Sequence, residues 1–454
     1  VSESTAPPQG SPAPAHLTRF TLDNGLRVVL APEPGTGVCA VGVHYGVGFR
    51  SDPPGRAGLA HLLEHLMFRR RTGPGGAGAA GAPAGGYANA ATRPDSTDFH
   101  QVVPAALLPD ALAAEHDRMA GPVPAPADLA AELDVIAEEI RRNVTGRPYG
   151  GFPKSRLPPL LYGDHANAHD GYGDTAVLRR LTPAECRAFF DRHHTPSNAV
   201  LTVVGDVSPE AARHAVERRF ADLPPRPFTP PAPAANDPAR DEPEQDGAGN
   251  GRHVDRYGRH TDPLAPLPAV SVGYQLPDPA ADLPGHLAHV LLAALLESRL
   301  RARLVTRERT AVAVTADCGL VGGPFAARHP VTFACTVTHP ETTGTEAVVH
   351  ALDDELHTLA SDGPAPGELR LAARRWVSDL LRQHDAPHVR VRSLGAFELL
   401  YGDASLHHRV PGLLAATSVA QTAEAARRLR AAPRAVLTLT PGRAPRPQRA
   451  GRAA

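Results

Sequence analysis

The sequence predicts a two-domain α+β chain in which each half is a mostly antiparallel sheet packed with helices, and three observations carry that expectation. The chain has 454 residues, roughly three times a typical domain, so a single compact core is a poor expectation. Near its middle, residues 222–263 are dense in Pro, Asp, Glu, Arg and Gly and too poor in apolar side chains to build a core, which reads as a linker. On either side of it one unit recurs. Thr182-Pro-Ala-Glu-Cys-Arg-Ala-Phe-Phe leading to Ala199-Val-Leu-Thr-Val-Val parallels Thr417-Ser-Val-Ala-Gln-Thr-Ala-Glu-Ala-Ala leading to Ala435-Val-Leu-Thr-Leu-Thr, offset by 235 residues at the helix start and 236 at the strand. The expected organisation is a disordered start over 1–15, a first domain over 16–221, the linker, a homologous second domain over 264–441 and a basic disordered tail over 442–454.

Taken in order, Phe20-Thr-Leu-Asp-Asn-Gly-Leu-Arg-Val-Val-Leu offers two strands around an Asp23-Asn24-Gly25 turn, because those residues tolerate positive φ. A third strand is expected over 40–47. Residues 58–68 follow a Pro53-Pro54-Gly55 turn and carry Leu59, Leu62, Leu63 and Leu66 at helical spacing. Residues 73–86 are Gly/Ala/Pro-rich and read as a loop, and 126–142 read as a helix capped by Asp128.

Composition narrows the function classes. Hydrophobic residues make up 42 % and charged residues 21 %, an ordinary globular mix, and the net charge of -1 offers no field for nucleic acid or an anionic membrane. Lys154 is the only lysine among 47 basic residues, a bias that fits G+C-rich coding. Cys39, Cys186, Cys318 and Cys335 are far apart and form no Cys-x-x-Cys, which argues against a disulfide framework or a thiolate metal site. With no run of eighteen apolar residues and no apolar leader at the start, the chain reads as cytoplasmic.

Chemistry concentrates on the 58–68 helix. In His61-Leu62-Leu63-Glu64-His65 the two histidines stand one turn apart on the same face, the arrangement of two ligands for one metal. They sit inside an otherwise apolar stripe, where an unpaired imidazole would be costly. A catalytic zinc site needs a third protein ligand and an open fourth position. At about 100° per residue from Glu132, Glu139 falls at about 340° and Glu138 at about 240°, while Leu129, Leu133, Ile136 and Ile140 lie between about 40° and 100°. Glu132 and Glu139 therefore flank the apolar face, and Glu139 is the candidate third ligand. Other histidines lack this support: His165-Ala-Asn-Ala-His169 has no carboxylate between its histidines and reads as a loop.

The inverted motif His-x-x-Glu-His, followed by Glu139 74 residues after its last histidine, resembles the pitrilysin family of zinc metallopeptidases. The likeness spans most of the chain. It extends over Leu22-Asp-Asn-Gly-Leu-Arg-Val-Val-Leu, Gly58-Leu-Ala-His-Leu-Leu-Glu-His, Gly85-Gly86 through Asn89-Ala90, Pro196-Ser-Asn-Ala-Val-Leu to Gly205-Asp206, Ser298-Arg299-Leu300, Leu399-Leu-Tyr-Gly-Asp and the final strand. Among members it looks closest to the shorter bacterial relatives of the mitochondrial processing peptidase. The resemblance implies one zinc ion bound by His61, His65 and Glu139, Glu64 as general base, and Glu132 as a second catalytic acid supporting the site. It implies that Ala88, Asn89 and Ala90 lie on a strand whose edge pairs with an extended peptide substrate. It also exposes a departure. Where self-sufficient members carry a substrate-binding Arg and Tyr, this chain has Val305 and Val312. That loss resembles zinc-bearing subunits that work beside a zinc-free partner, so the expectation is the catalytic half of a heterodimer, with a homodimer as the alternative. The expected activity is hydrolysis of extended peptides or leader segments; a non-catalytic scaffold or peptide-binding subunit is the rival reading.

Overall fold

The computed structural model describes residues 17–69, 86–121, 126–226, 228, 255–328 and 330–442. The first half runs β1 (Thr18–Thr21), β2 (Arg27–Pro32), β3 (Val38–Tyr45), α1 (Leu59–Arg69), β4 (Tyr87–Thr92), β5 (Thr97–Pro104), α2 (Leu108–Ala120), α3 (Pro126–Ile140), α4 (Pro158–Leu161), α5 (Thr175–Leu178), α6 (Pro183–His193), β6 (Ala199–Gly205) and α7 (Pro209–Phe220). The second runs β7 (Arg256–Asp262), β8 (Ala269–Leu276), α8 (Leu283–Leu300), β9 (Ala313–Cys318), β10 (Val331–Thr338), α9 (Thr345–Ser361), α10 (Pro366–His384), α11 (Pro387–Tyr401), α12 (Leu406–Ala415), α13 (Val419–Ala431) and β11 (Arg434–Pro441). Among the described residues no helix is long and apolar enough to cross a membrane.

The duplication is visible in the sheets. Strand order is β1-β2-β6-β3-β5-β4 in one and β7-β11-β8-β10-β9 in the other, so all but β1 repeats. Each sheet contains one parallel pair, β2 with β6 and β7 with β11, among antiparallel neighbours. The helices before β6 and β11 start with the same device: Thr182 and Ser418 each accept from the third helical N–H, while Glu185 and Gln421 reach back to the cap residue's own N–H. The cap of the second copy is Ser418 rather than Thr417, so the offset is 236 at helix and strand alike.

Local expectations fare unevenly. Gly25 takes φ +89° in the turn between β1 and β2, and Asn24 is buried there, donating to the Phe220 carbonyl at 2.8 Å. The third strand begins two residues earlier than expected. Asp128 sits inside the first turn of α3 instead of capping it, because the helix already starts at Pro126. The linker reading overran: residues 256–262 form β7, an edge strand held only by β11, where a polar composition is tolerated because alternate residues face solvent. Most of that linker, the start over 1–15, the 73–85 part of the glycine-rich loop and the tail beyond Gly442 lie outside the described residues.

The halves are cross-braced. The helices of the first half cover one face of the first sheet, burying Leu62, Leu63, Ile136, Phe190 and Phe220. The opposite face, with Val29, Ala40, Val200 and Val204, is covered by α11 from the second half through Val391 and Leu394. A Cβ on Gly395 would overlap the His44 ring, so only glycine lets α11 approach this closely. Arg390 donates to Glu33 at 2.7 Å, Arg392 to Asp98 at 3.0 Å and Arg19 to Glu398 at 2.7 Å around the same contact. Reciprocally, Leu157 from the first half lies against Ala334, Ala435 and Leu437 of the second sheet, and Tyr162 and Thr332 hydroxyls are 2.7 Å apart. Each half thus supplies a cover for the other's sheet.

Leu394→Ala is expected to cost about 2–5 kcal/mol, the range for emptying a buried leucine site. Measured by denaturant unfolding with hydrogen exchange, the loss should appear in β3 and β6 of the first half as well as in α11. Loss of protection confined to the second half would contradict the cross-brace.

Candidate metal centre and peptide cleft

The site is built on α1. Its start is fixed by the buried Asp52 carboxylate, which accepts from Gly58 N–H at 2.7 Å and Ala60 N–H at 2.8 Å, satisfying donors at the helix start. Burial pushes Asp52 up to about 7 against those hydrogen bonds. Gly58 adopts φ +94°, and a Cβ there would come within 2.6 Å of the Tyr172 carbonyl. Leu59, Leu62, Leu63 and Leu66 are at most 2 % exposed, so His61, Glu64 and His65 stand on the opposite edge of the helix, and His61 and Glu64 line the cleft.

α3 packs beside α1 and brings its acids to the histidines. Glu139 Oε2 lies 3.7 Å from His61 Nε2 and 3.4 Å from His65 Nε2. Ligand atoms about 2.0–2.1 Å from one tetrahedral zinc stand about 3.4 Å apart, so this donor set fits such an ion. His61, His65 and Glu139 are the one His/Cys/Asp/Glu cluster able to hold a metal among the described residues. Burial, with the neighbouring His65, depresses His61 to about 4 and keeps its nitrogen lone pair available. At His65 burial opposes the proton, but Glu139, Glu64 and Glu132 outweigh it and raise the pKa. Glu138 points outward and pairs with Arg141.

Glu132, 6 % exposed, places Oε2 3.3 Å from His65 Nδ1. It therefore touches a candidate ligand rather than the cleft, fixing the ring so that Nε2 faces Glu139. Glu64 Oε2 accepts from the Thr92 hydroxyl at 2.6 Å, and desolvation lifts its pKa to about 7 despite that bond. Sequence reasoning did not single out Thr92, which lies 28 residues from Glu64 and meets it only because β4 runs beside α1. It also passed over Tyr172, whose hydroxyl donates to Glu139 Oε1 at 3.4 Å and whose ring meets the His61 ring edge-on at 5.5 Å. Neither has a sequence signal, since both are brought in by tertiary packing.

His61, Glu64, Thr92, Glu139 and Tyr172 line a cleft of about 540 Å³, together with Ala90, Ala91, Asn143, Tyr149, Asp170 and Val321. Among the described residues β4 ends its sheet and pairs only with β5, so its other edge meets no strand there. Ala90 lines the cleft; Ala88 and Asn89 do not. Asn89 stands opposite His100, with Nδ2 donating to the Tyr87 hydroxyl at 3.1 Å and Oδ1 accepting from Ala90 N–H at 2.9 Å. In the second half Val305 packs against the core and Val312 is 54 % exposed. Arg303, a neighbouring cation, is committed to Glu308 and Asp354. On α8, the counterpart of α1, His286 meets the Pro324 carbonyl and His289 the Gly285 carbonyl, each at 2.7 Å, without a carboxylate ligand set. His165 and His169 stack at 5.0 Å in a loop.

Comparison with known proteins agrees with this division. Residues 27–147 match the family described as Insulinase (Peptidase family M16), and residues 180–375 match the Peptidase M16 inactive domain. The zinc protease PqqE of Helicobacter pylori is 30 % identical over 260 residues, 57 % of this chain and 56 % of that protein. An uncharacterized zinc protease of Mycobacterium bovis is 31 % identical over 223 residues, 48 % of this chain and 49 % of that one. These alignments span about half the length of the curated relatives. The same fold occurs in a protease from Helicobacter pylori, with a TM-score of 0.79 at 22 % identity over 94 % of this chain and all of that one. It occurs again in the first half of the periplasmic protease PqqL from Escherichia coli, with a TM-score of 0.69 at 20 % identity over 94 % of this chain and 92 % of that one. With two M16 domains in tandem, a candidate metal-ligand set in the first and none among the described residues of the second, the chain belongs to the M16 peptidases, the pitrilysin family that its sequence resembles.

Proposed function

We propose that this chain is a zinc-dependent endopeptidase that cleaves extended peptides or leader segments, with His61, His65 and Glu139 as metal ligands and Glu64 as general base. The observation that carries it is the meeting of both helix-borne histidines with Glu139, beside a desolvated Glu64, at the edge of a free strand. Zinc bound there would polarise the scissile carbonyl and acidify a water. Glu64 would take a proton from water and hand it to the leaving amine, the part of a general base and acid. Thr92 holds the Glu64 carboxylate in place, Glu132 fixes the His65 ring, and Tyr172 does the same for Glu139. The open edge of β4, including Ala88, Asn89 and Ala90, pairs with the backbone of an extended peptide, so selection is by extension more than by sequence.

The active assembly is a heterodimer in this reading, the partner lacking the zinc motif and supplying the Arg and Tyr replaced by Val305 and Val312. One feature supports it: the neighbouring Arg303 is already engaged in ion pairs. A homodimer would not supply the missing side chains. Four free, buried cysteines support a cytoplasmic setting, although the PqqL relative is periplasmic.

Glu64→Gln should lower kcat on unstructured peptides by about 10²–10⁴-fold, with zinc content by elemental analysis unchanged. Activity within a few-fold of the parent would remove Glu64 as the general base, and no turnover by the zinc-loaded parent in any pairing would leave the scaffold or peptide-binding reading in possession. Glu132→Ala should weaken zinc affinity by about 10–100-fold in chelator competition; unchanged affinity would remove Glu132 from the site. Co-expression with a zinc-free M16 subunit should raise kcat/KM well above that of the isolated chain, and equal activity of the isolated chain would contradict the divided assembly.

A further inference from the structure

The cleft has a second chemical character, contributed by residues 143–155 on the way from α3 to the second sheet. This segment is pinned to the second half. Tyr149 N–H donates to the Asp262 carboxylate at 2.8 Å, its hydroxyl donates to the Leu267 carbonyl at 2.9 Å, and Tyr149 and Phe152 pack against Ala265, Ala269 and Leu439. Two cations, Arg147 and Lys154, flank these anchors, and both line the cleft with exposed side chains. Neither side chain forms a hydrogen bond or ion pair among the described residues. Other cations around the cleft are engaged: Arg50 meets Asp95 at 2.9 Å, and Arg141 is held by Glu138. Asp317 on β9 feels the Lys154 charge without reaching it as an ion pair.

The cleft lining therefore carries both charges. Glu64, Glu139 and Asp170 line it with His61, and a divalent ion would offset those carboxylates, leaving the charges of Arg147 and Lys154 uncompensated. Resting on the peptidase reading above, we propose that Arg147 and Lys154 receive a substrate carboxylate, so that the cleft prefers peptides that carry one at a fixed distance from the cleaved bond. A guanidinium and an ammonium held on one anchored segment give charge-assisted hydrogen bonds to a carboxylate that a neutral side chain cannot form. The carboxylate comes from an internal Asp or Glu or from the peptide's C-terminus.

The test uses the zinc-loaded, full-length Glu64→Gln protein, so that bound peptide is not consumed. Three acetylated, lysine-free fluorescent peptides are compared by anisotropy: one with internal Glu and an amidated end, one with Gln in its place and an amidated end, and the Gln peptide with a free C-terminal carboxylate. At least one carboxylate peptide should bind about tenfold more tightly than the neutral one, and which of them does identifies the source. Arg147→Gln combined with Lys154→Gln should abolish the difference while leaving the neutral peptide's affinity unchanged. Because Lys154 is the only lysine, amine acetylation followed by peptide mapping reports on it without mutation, and the preferred peptide should protect it. Equal binding of all three peptides with Lys154 unprotected overturns this inference and leaves the peptidase reading standing. Failure of every peptide to bind overturns both.

Discussion

Burial of one face of α1 is the constraint on which the site depends. Leu59, Leu62, Leu63 and Leu66 have no alternative to the core, and each fully buried leucine contributes on the order of 1.5–3 kcal/mol. Once they are inside, the helical repeat leaves His61, Glu64 and His65 no choice of direction. The same logic acts on α3, where Leu129, Leu133 and Ile136 enter the same core and rotate Glu132 and Glu139 toward the histidines. Two apolar stripes meeting in one core thus set the distances among five polar groups, three on α1 and two on α3. Asp52 and Gly58 then fix where α1 begins, and a shift of one residue there would carry every ligand out of register by about 100°.

The cross-brace extends this rigidity. Because α11 closes the back of the first sheet and residues 144–162 close the back of the second, the cleft between the halves is bounded by segments that each half lends the other. Such an exchange stabilises one arrangement of the halves, since displacing either cover exposes apolar surface in both. It also explains how residues of the 143–155 segment come to line a site whose metal ligands lie on α1 and α3.

Much of this was legible in the sequence because it rests on local periodicity. The His61/His65 spacing, the inward turn of Glu139 and the outward turn of Glu138 follow from the helical repeat, and the duplicated helix-strand unit gives away the second sheet. What sequence could not supply depends on contacts between distant elements. Thr92 reaches Glu64 through strand pairing and helix packing, Tyr172 reaches Glu139 across a loop, and α11 crosses to the other half's sheet with an unremarkable pattern of its own. β7 was lost to the linker because an edge strand exposed on alternate residues has the composition of a loop. Asp128 illustrates the converse error: a good capping residue lies within the first turn of a helix that starts two residues earlier, at proline.

The central claim is a single metal held by these three side chains, and anomalous diffraction at the zinc edge from crystals of the zinc-loaded protein tests it most directly. The account predicts one peak per chain, about 2.0–2.2 Å from a nitrogen of His61, a nitrogen of His65 and an oxygen of Glu139, with Glu132 bonded to His65 but not to the ion. A peak elsewhere, or none at these residues under saturating zinc, would contradict it.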